Sequence, residues 1–206
     1  MRNSWTGGKA LAVQSETDEL ALEVHQGVPG AFDRFVETWE TALYNYALRV
    51  LQNTFDAQEV VQDAFLRAHR ALTRQYDEQR CRELAVRPWL FRIARNLALN
   101  RRRGAWTRTQ ESLASFDDDR IGPFFDPSGE GRDLERRQDA EMLEAALASL
   151  PTESRELIVL RFMEDMPYAD ISRTTGLSET QLRGKVFRSL KLLRRALETR
   201  GVAHAL

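Results

Sequence analysis

The side chains best placed for chemistry are hydrogen-bond donors rather than nucleophiles. Thr180, Gln181, Arg183, Lys185 and Arg188 crowd one short segment near the C-terminus. Arginine and lysine in such a cluster donate to guanine or to backbone phosphates, and glutamine suits adenine. A second cluster holds Arg92, Arg95, Asn96 and Arg103, with Trp89 at its edge. A third, Glu59, Gln62 and Asp63, surrounds Leu66. An apolar residue ringed by polar ones is what a modest protein interface needs, although a lone exposed leucine is also common.

Signals for catalysis are weak by comparison. Asp56, Glu59 and Asp63 could be imagined around a hard cation. No histidine or second carboxylate cluster joins them, and His25, His69 and His204 lack metal-ligand spacing. Gly7-Gly8-Lys9 lacks the spacing and following helix of a phosphate loop. We expect no enzyme, no metal and no cofactor. Cys81 is the single cysteine, which forbids an intrachain disulfide and favours a reducing compartment. A lone cysteine in a loop is either incidental or a redox sensor. With no signal-peptide core and no apolar stretch of spanning length, a cytoplasmic protein without membrane insertion is expected.

The formal net charge of −1 hides segregation. Six arginines and no acid lie between Arg92 and Arg108, eleven acids against four arginines between Glu111 and Glu144, and seven bases against one acid between Arg183 and Arg200. Two basic patches divided by an acidic stretch suggest two nucleic-acid surfaces, or else solvated helix faces.

The elements that must position these residues all read as helices, because apolar residues recur at three and four. Residues 1–17 read as a tail. Helices are predicted over Asp18–Gln26, Ala31 to about Leu51, about Asp56 to Arg74, and Pro88 to about Arg103. A polar loop, Gln75 to Val86, precedes the last of these. Residues 104–132 carry Asp117-Asp118-Asp119, Gly122-Pro123 and Asp126-Pro127-Ser128-Gly129, and read as an acidic linker. Helical pattern resumes at Leu134. The expected fold is all-α: an N-terminal domain over 18–103 and a smaller C-terminal domain over 133–206, joined by a flexible acidic linker.

Tyr168 to Ser178 gives the strongest local signal. Ile171 faces inward, Gly176 suits a left-handed helix end, and Ser178 with Gln181 has capping-box spacing. The next helix buries Leu182, Val186, Leu190, Leu193 and Leu197 and turns its bases outward. This is a helix-turn-helix that sets its second helix into a major groove, or a plain helical hairpin. Gly184, on the outward face, either permits close approach to a DNA backbone or is merely tolerated, at a cost of about 1 kcal/mol relative to alanine.

Four blocks in order now carry a family resemblance: Gly30-Ala31-Phe32-Asp33-Arg34-Phe35; Asp56 through Ala68; Pro88-Trp89-Leu90-Phe91-Arg92-Ile93-Ala94-Arg95-Asn96 with its arginine run; and Leu150-Pro151 through the helix-turn-helix. From Asp18 to Leu197 the chain resembles the extracytoplasmic-function (ECF) class of bacterial sigma factors. The resemblance implies a protein that binds core RNA polymerase, through its β and β′ subunits, and promoter DNA, and that is held by an anti-sigma factor. It implies that Glu59, Gln62, Asp63 and Leu66 dock on the β′ clamp helices. It further implies that Trp89, Arg92, Arg95, Asn96 and Arg103 engage and open the −10 element, and that the loop 75–86 captures a flipped base. Thr180, Gln181, Arg183, Lys185 and Arg188 would then read the −35 element. For Trp89 a core position outweighs base contact, and the acidic linker could thread the polymerase channels or simply tether the domains. The chain departs from the usual pattern at Asn100, Leu182 and Gly184. A stand-alone helix-turn-helix regulator is the competing reading.

Overall fold

The computed structural model describes residues 19–111 and 133–199, the side chains of 103–111 and 133–137 excepted. Every regular element among these is helical. In chain order they are α1 (19–25), α2 (Ala31–Leu51), α3 (Thr54–Arg70), α4 (Glu78–Arg82), α5 (Val86–Glu111), α6 (Asp133–Ala148), α7 (Thr152–Ile158), α8 (Tyr168–Thr175) and α9 (Glu179–Glu198). The expected all-α class with two helical units is what the chain adopts.

Local chemistry sets the boundaries. Gly30, in the left-handed conformation at φ 74°, leads into α2. Gln52, at φ 57°, ends that helix by donating its N–H to the Leu48 carbonyl at 2.7 Å. The Asn53 side chain then caps α3 by accepting from the Asp56 N–H at 2.8 Å. Between caps, the inward stripe of α2 (Phe35, Trp39, Leu43, Tyr46 and Val50) is buried, as are Val61, Ala64, Phe65 and Ala68 of α3. Phe35 meets Phe65 edge-on, and Tyr46 meets Phe91 of α5 at 5.3 Å between ring centroids. Each large apolar side chain taken fully from water contributes roughly 1.5–3 kcal/mol.

Several expected boundaries shift. Helix α3 continues through a π-type turn, Ala71–Gln75, instead of running as regular α-helix to Arg74. The predicted loop contains α4, nucleated by the Asp77 side chain accepting from the Arg80 N–H at 2.8 Å. Helix α5 starts two residues before Pro88, whose missing N–H still falls in the first turn where no partner exists. It then runs to Glu111, so residues 104–111 are helical rather than part of a structureless linker. Gly104 is the one residue there that disfavours a helix, by about 1 kcal/mol, which is too little to end it. The core of the acidic stretch, 112–132, lies outside the described residues, as do the tail at 1–18 and residues 200–206.

The C-terminal unit has its own small cluster, in which Ala146, Leu147, Leu150, Ile158 and Leu193 are buried together. The larger cluster runs from α2, α3 and α5 into Leu157, Leu160, Met166, Ile171 and Leu182. The two units therefore touch: α6 and α7 lie on α2, and α8 lies on α5.

Arg155 and Glu156, adjacent on α7, are charged yet buried at this junction. Arg155 donates to the carbonyls of Leu147, Ala148 and Leu150 at 2.9–3.0 Å and to those of Arg49 and Val50 at 3.3 Å. One guanidinium thus closes the C-terminal end of α6 and the C-terminal end of α2, where carbonyls lack intrahelical partners and carry negative partial charge. Burial, with a smaller contribution from Arg102, pulls its pKa down to about 10, so it stays cationic at neutral pH. Arg155→Ala strands those carbonyls, save that of Leu147, which also accepts from the Leu150 N–H at 3.0 Å, and urea unfolding should show a loss of about 2–3 kcal/mol. A loss under about 0.5 kcal/mol, the range of ordinary surface changes, would contradict this role.

Candidate nucleic-acid interface

The C-terminal site is built on a turn between two capped helices. Helix α8 ends at Gly176, whose φ of 78° is open to glycine at no steric cost. The Ser172 hydroxyl donates to the Leu177 carbonyl at 2.7 Å and fixes the exit of the chain. Ser178 and Gln181 then form a reciprocal capping box: the Gln181 N–H donates to Ser178 Oγ at 3.3 Å, and the Ser178 N–H donates to Gln181 Oε1 at 3.0 Å. Leu182, Val186 and Leu193 are buried, and Leu190 and Leu197 half-buried, which leaves the opposite face of α9 to solvent.

That face brings the predicted donors together, though they are not equally available. Thr180, Gln181, Arg183 and Arg188 are exposed. Gln181 Oε1 is committed to the cap, accepting from both the N–H and the hydroxyl of Ser178. A two-pronged adenine contact, which needs that oxygen as acceptor, would require the cap to open. Arg183 bonds Glu179 at 3.1 Å and lies over the Tyr168 ring at 4.7 Å. Lys185 is half-buried and bonds Glu153 at 2.5 Å. Arg188 stands at the solvent face, and beside it Phe187 is exposed with Lys191 over its ring.

The basic face of α5 is more divided than its sequence suggests. Arg92 and Asn96 are exposed. Arg95 is not free: its Nε donates to Glu156 Oε1 at 2.8 Å across the junction. Trp89 is half-buried against the core and donates its indole N–H to the Tyr76 hydroxyl at 3.1 Å. The Arg80 guanidinium covers Tyr76 at 4.1 Å from the ring centroid, making an aromatic and cationic group at the rim of α4. The Arg103 side chain lies outside the described residues. Arg101 is tied to Asp56 at 2.8 Å and to Glu59, which turns two of the imagined metal ligands into an ion-pair triad.

On α3, Gln62, Asp63 and Leu66 are exposed side by side, whereas Glu59 is half-buried in the Arg101 pair. A groove lined by Glu40, Thr41, Tyr44, Gln58, Val61 and Gln62 borders this face. Phe55, 65% exposed at the start of α3, escapes the sequence reading. Its position off the buried stripe is the signal that could have found it. Glu156 and Arg155 were missed as well, although two adjacent charges inside an apolar helical run are a detectable anomaly.

Each of the two helical units thus carries basic side chains at its surface, one set presented by a helix-turn-helix. Comparison with known proteins gives the family. The model for Sigma-70 region 2 matches residues 35–108, and the model for Sigma-70, region 4 matches residues 140–193. The RNA polymerase sigma-H factor of Pseudomonas aeruginosa is 27% identical over 91% of this chain and 97% of its own length. The ECF RNA polymerase sigma factor SigE of Mycolicibacterium smegmatis is 32% identical over 82% of this chain and 62% of its own. The solved structure of CnrH in complex with the cytosolic domain of CnrY superposes with a TM-score of 0.64 at 25% identity, covering 89% of this chain and 97% of that one. The chain belongs to the ECF class of RNA polymerase sigma factors. Its relatives act in transcription initiation and are regulators rather than enzymes. Among the described residues no helix is long and apolar enough to cross a membrane.

Cys81 is buried on α4, and burial together with Asp77 pushes its thiol up, away from the reactive thiolate. A thiol reagent at neutral pH should modify the native chain slowly and the urea-unfolded chain fast; equal rates would contradict the burial. A Cβ on Gly184 would meet only the tip of Arg188, at 3.7 Å. Gly184→Ala should therefore raise stability by up to about 1 kcal/mol in urea unfolding.

Proposed function

We propose that this sigma factor binds core RNA polymerase, reads the −35 element as duplex through α9, and engages and opens the −10 element through α5. The observation that carries the reading is one chain with two separated donor faces, each on the unit that matches a different sigma region. On α9, Thr180, Gln181 and Arg183 occupy the first turns, where a recognition helix meets base edges, and Arg188 lies further along, toward phosphates. Lys185 serves once its pairing with Glu153 is exchanged for DNA. On α5, Arg92, Asn96 and, after release, Arg95 supply the polar contacts. Arg103 continues the run, and Trp89 supports the face from its half-buried seat. Residues 18–103 form the polymerase-binding and −10 unit, and residues 133–206 the −35 unit.

The exposed group Gln62, Asp63 and Leu66, with Glu59 behind it, docks on the β′ subunit; the C-terminal unit lies against β. An anti-sigma factor completes the partner set, a reading supported by the CnrH structure, in which that relative is held by the cytosolic domain of CnrY. The workplace is the cytoplasm, where the polymerase is.

Run-off transcription with purified core polymerase, followed by start-site mapping, tests the proposal. Defined start sites that depend on added chain are the expected result. Tight, specific duplex binding without core, and no transcripts with it, would favour a stand-alone regulator. Two substitutions separate the faces. Asp63→Ala should weaken capture of core polymerase and leave duplex binding by the chain unchanged. Arg188→Ala should lower duplex affinity across sequences and make its salt dependence shallower by about one ion.

A further inference from the structure

The outward face of α9 is bare at its centre. Leu182, Val186, Ser189 and Leu193 mark the buried side of the helix. At 100° per residue, Gly184 lies roughly 180° from them, at the outermost point of the second turn. The donors around it lean elsewhere: Gln181 turns back to the Ser178 cap, Arg183 lies against Tyr168 and Glu179, and Lys185 reaches Glu153. Beyond its chain neighbours, the one described side chain near Gly184 is Arg188, whose Nη1 lies 3.7 Å from the place a Cβ would take. That lean is ordinary, because a long helical side chain covers the turn before its own.

Nothing described inside the chain calls for this glycine. It stands in regular helix, outside the left-handed region, and a Cβ would make ordinary contact with a movable arginine tip. It costs helix stability all the same. What a missing Cβ does provide is close approach to the backbone by something outside the chain.

We propose that Gly184 is a specificity-determining residue of α9, whose bare turn receives the C5-methyl group of one thymine in the −35 element. The inference rests on the reading of α9 as the −35 helix and names what that helix selects at its centre. Chemistry fixes the choice of group. Inside a helix each N–H is bonded to the carbonyl four residues back, so the bare turn holds no free donor and only carbonyls already in use. A phosphate or a polar base edge pressed against it would lose water and gain no partner in return. The thymine methyl is the one apolar group that base pairs carry in the major groove, and it packs against Cα without that loss. A side chain at 184 would hold the helix further from the bases. Arg188 completes the arrangement: its guanidinium, drawn out to a phosphate, uncovers the turn and holds the helix down.

Replacing the thymines of the mapped −35 element one at a time by uracil deletes the methyl and keeps the pairing. Holoenzyme made with the parent chain should respond at one position, losing about fourfold in promoter affinity, the worth of one buried methyl group. Gly184→Gln places a good helix former on an exposed face and should at least equal the parent in urea unfolding. It should nevertheless weaken promoter binding by about tenfold, the scale of one lost base contact, and bind the thymine and uracil promoters alike. A Gly184→Gln chain that keeps parental affinity or the thymine preference overturns the role of the glycine. A flat uracil series with the parent, or a −35 element without thymine, overturns the methyl assignment. Absence of defined start sites with the parent would sink the −35 reading and this inference with it, whereas defined start sites with a flat series sink the inference alone.

Discussion

One buried carboxylate organises the relation between the two halves of this molecule. Glu156 has almost no access to water, and the hydrogen bonds its carboxylate needs come from Tyr46 and Arg95, which aim donors at it from helices of the other unit. Its neighbour Arg155 solves a complementary problem. Two helices end close together, and their unpartnered carbonyls converge on a single guanidinium. Remove either group and the junction keeps its apolar contacts but loses the polar ones that fix its geometry. The placement of α8 on α5, and with it the accessibility of α5, follows from that geometry.

The same junction explains why a uniformly basic stretch of sequence becomes a patterned surface. Along α5, Arg92 points to solvent, Arg95 to Glu156 and Arg101 to Asp56 and Glu59. Successive residues of a helix turn by 100°, so a basic run cannot present all its charges on one face. Each committed arginine links two regions: Arg95 joins the two units, and Arg101 joins the exposed face of α3 to α5. On α9 the commitments are lighter, since Glu179 and Glu153 lie at the surface and their pairs with Arg183 and Lys185 are worth little in water.

Much of this was legible before any coordinates. The bounds of α2, the Gly176 turn and the Ser178–Gln181 box follow from backbone and capping chemistry acting over a few residues, and the structure realises each. The apolar stripes of α3 and α9 follow from helical period alone. What sequence could not supply was contact between residues far apart in the chain. Arg95 was expected on an open face because nothing local names Glu156 as its partner, and Glu59 was expected at an interface because Arg101 lies 42 positions away. Helix α4 is not visible in the sequence because five residues are too few to show a period. Helix α5 overran its expected end because a single glycine is a weak stop.

The junction stands most directly on whether Arg95 and Glu156 feel each other. A double-mutant cycle of Arg95→Ala and Glu156→Ala, followed by urea unfolding, measures this without reference to DNA or polymerase. The geometry predicts a coupling of about 1–3 kcal/mol, as for contacting residues in a shared network. Additivity within about 0.5 kcal/mol, the behaviour of distant independent sites, would contradict it and dissolve the junction on which the rest depends.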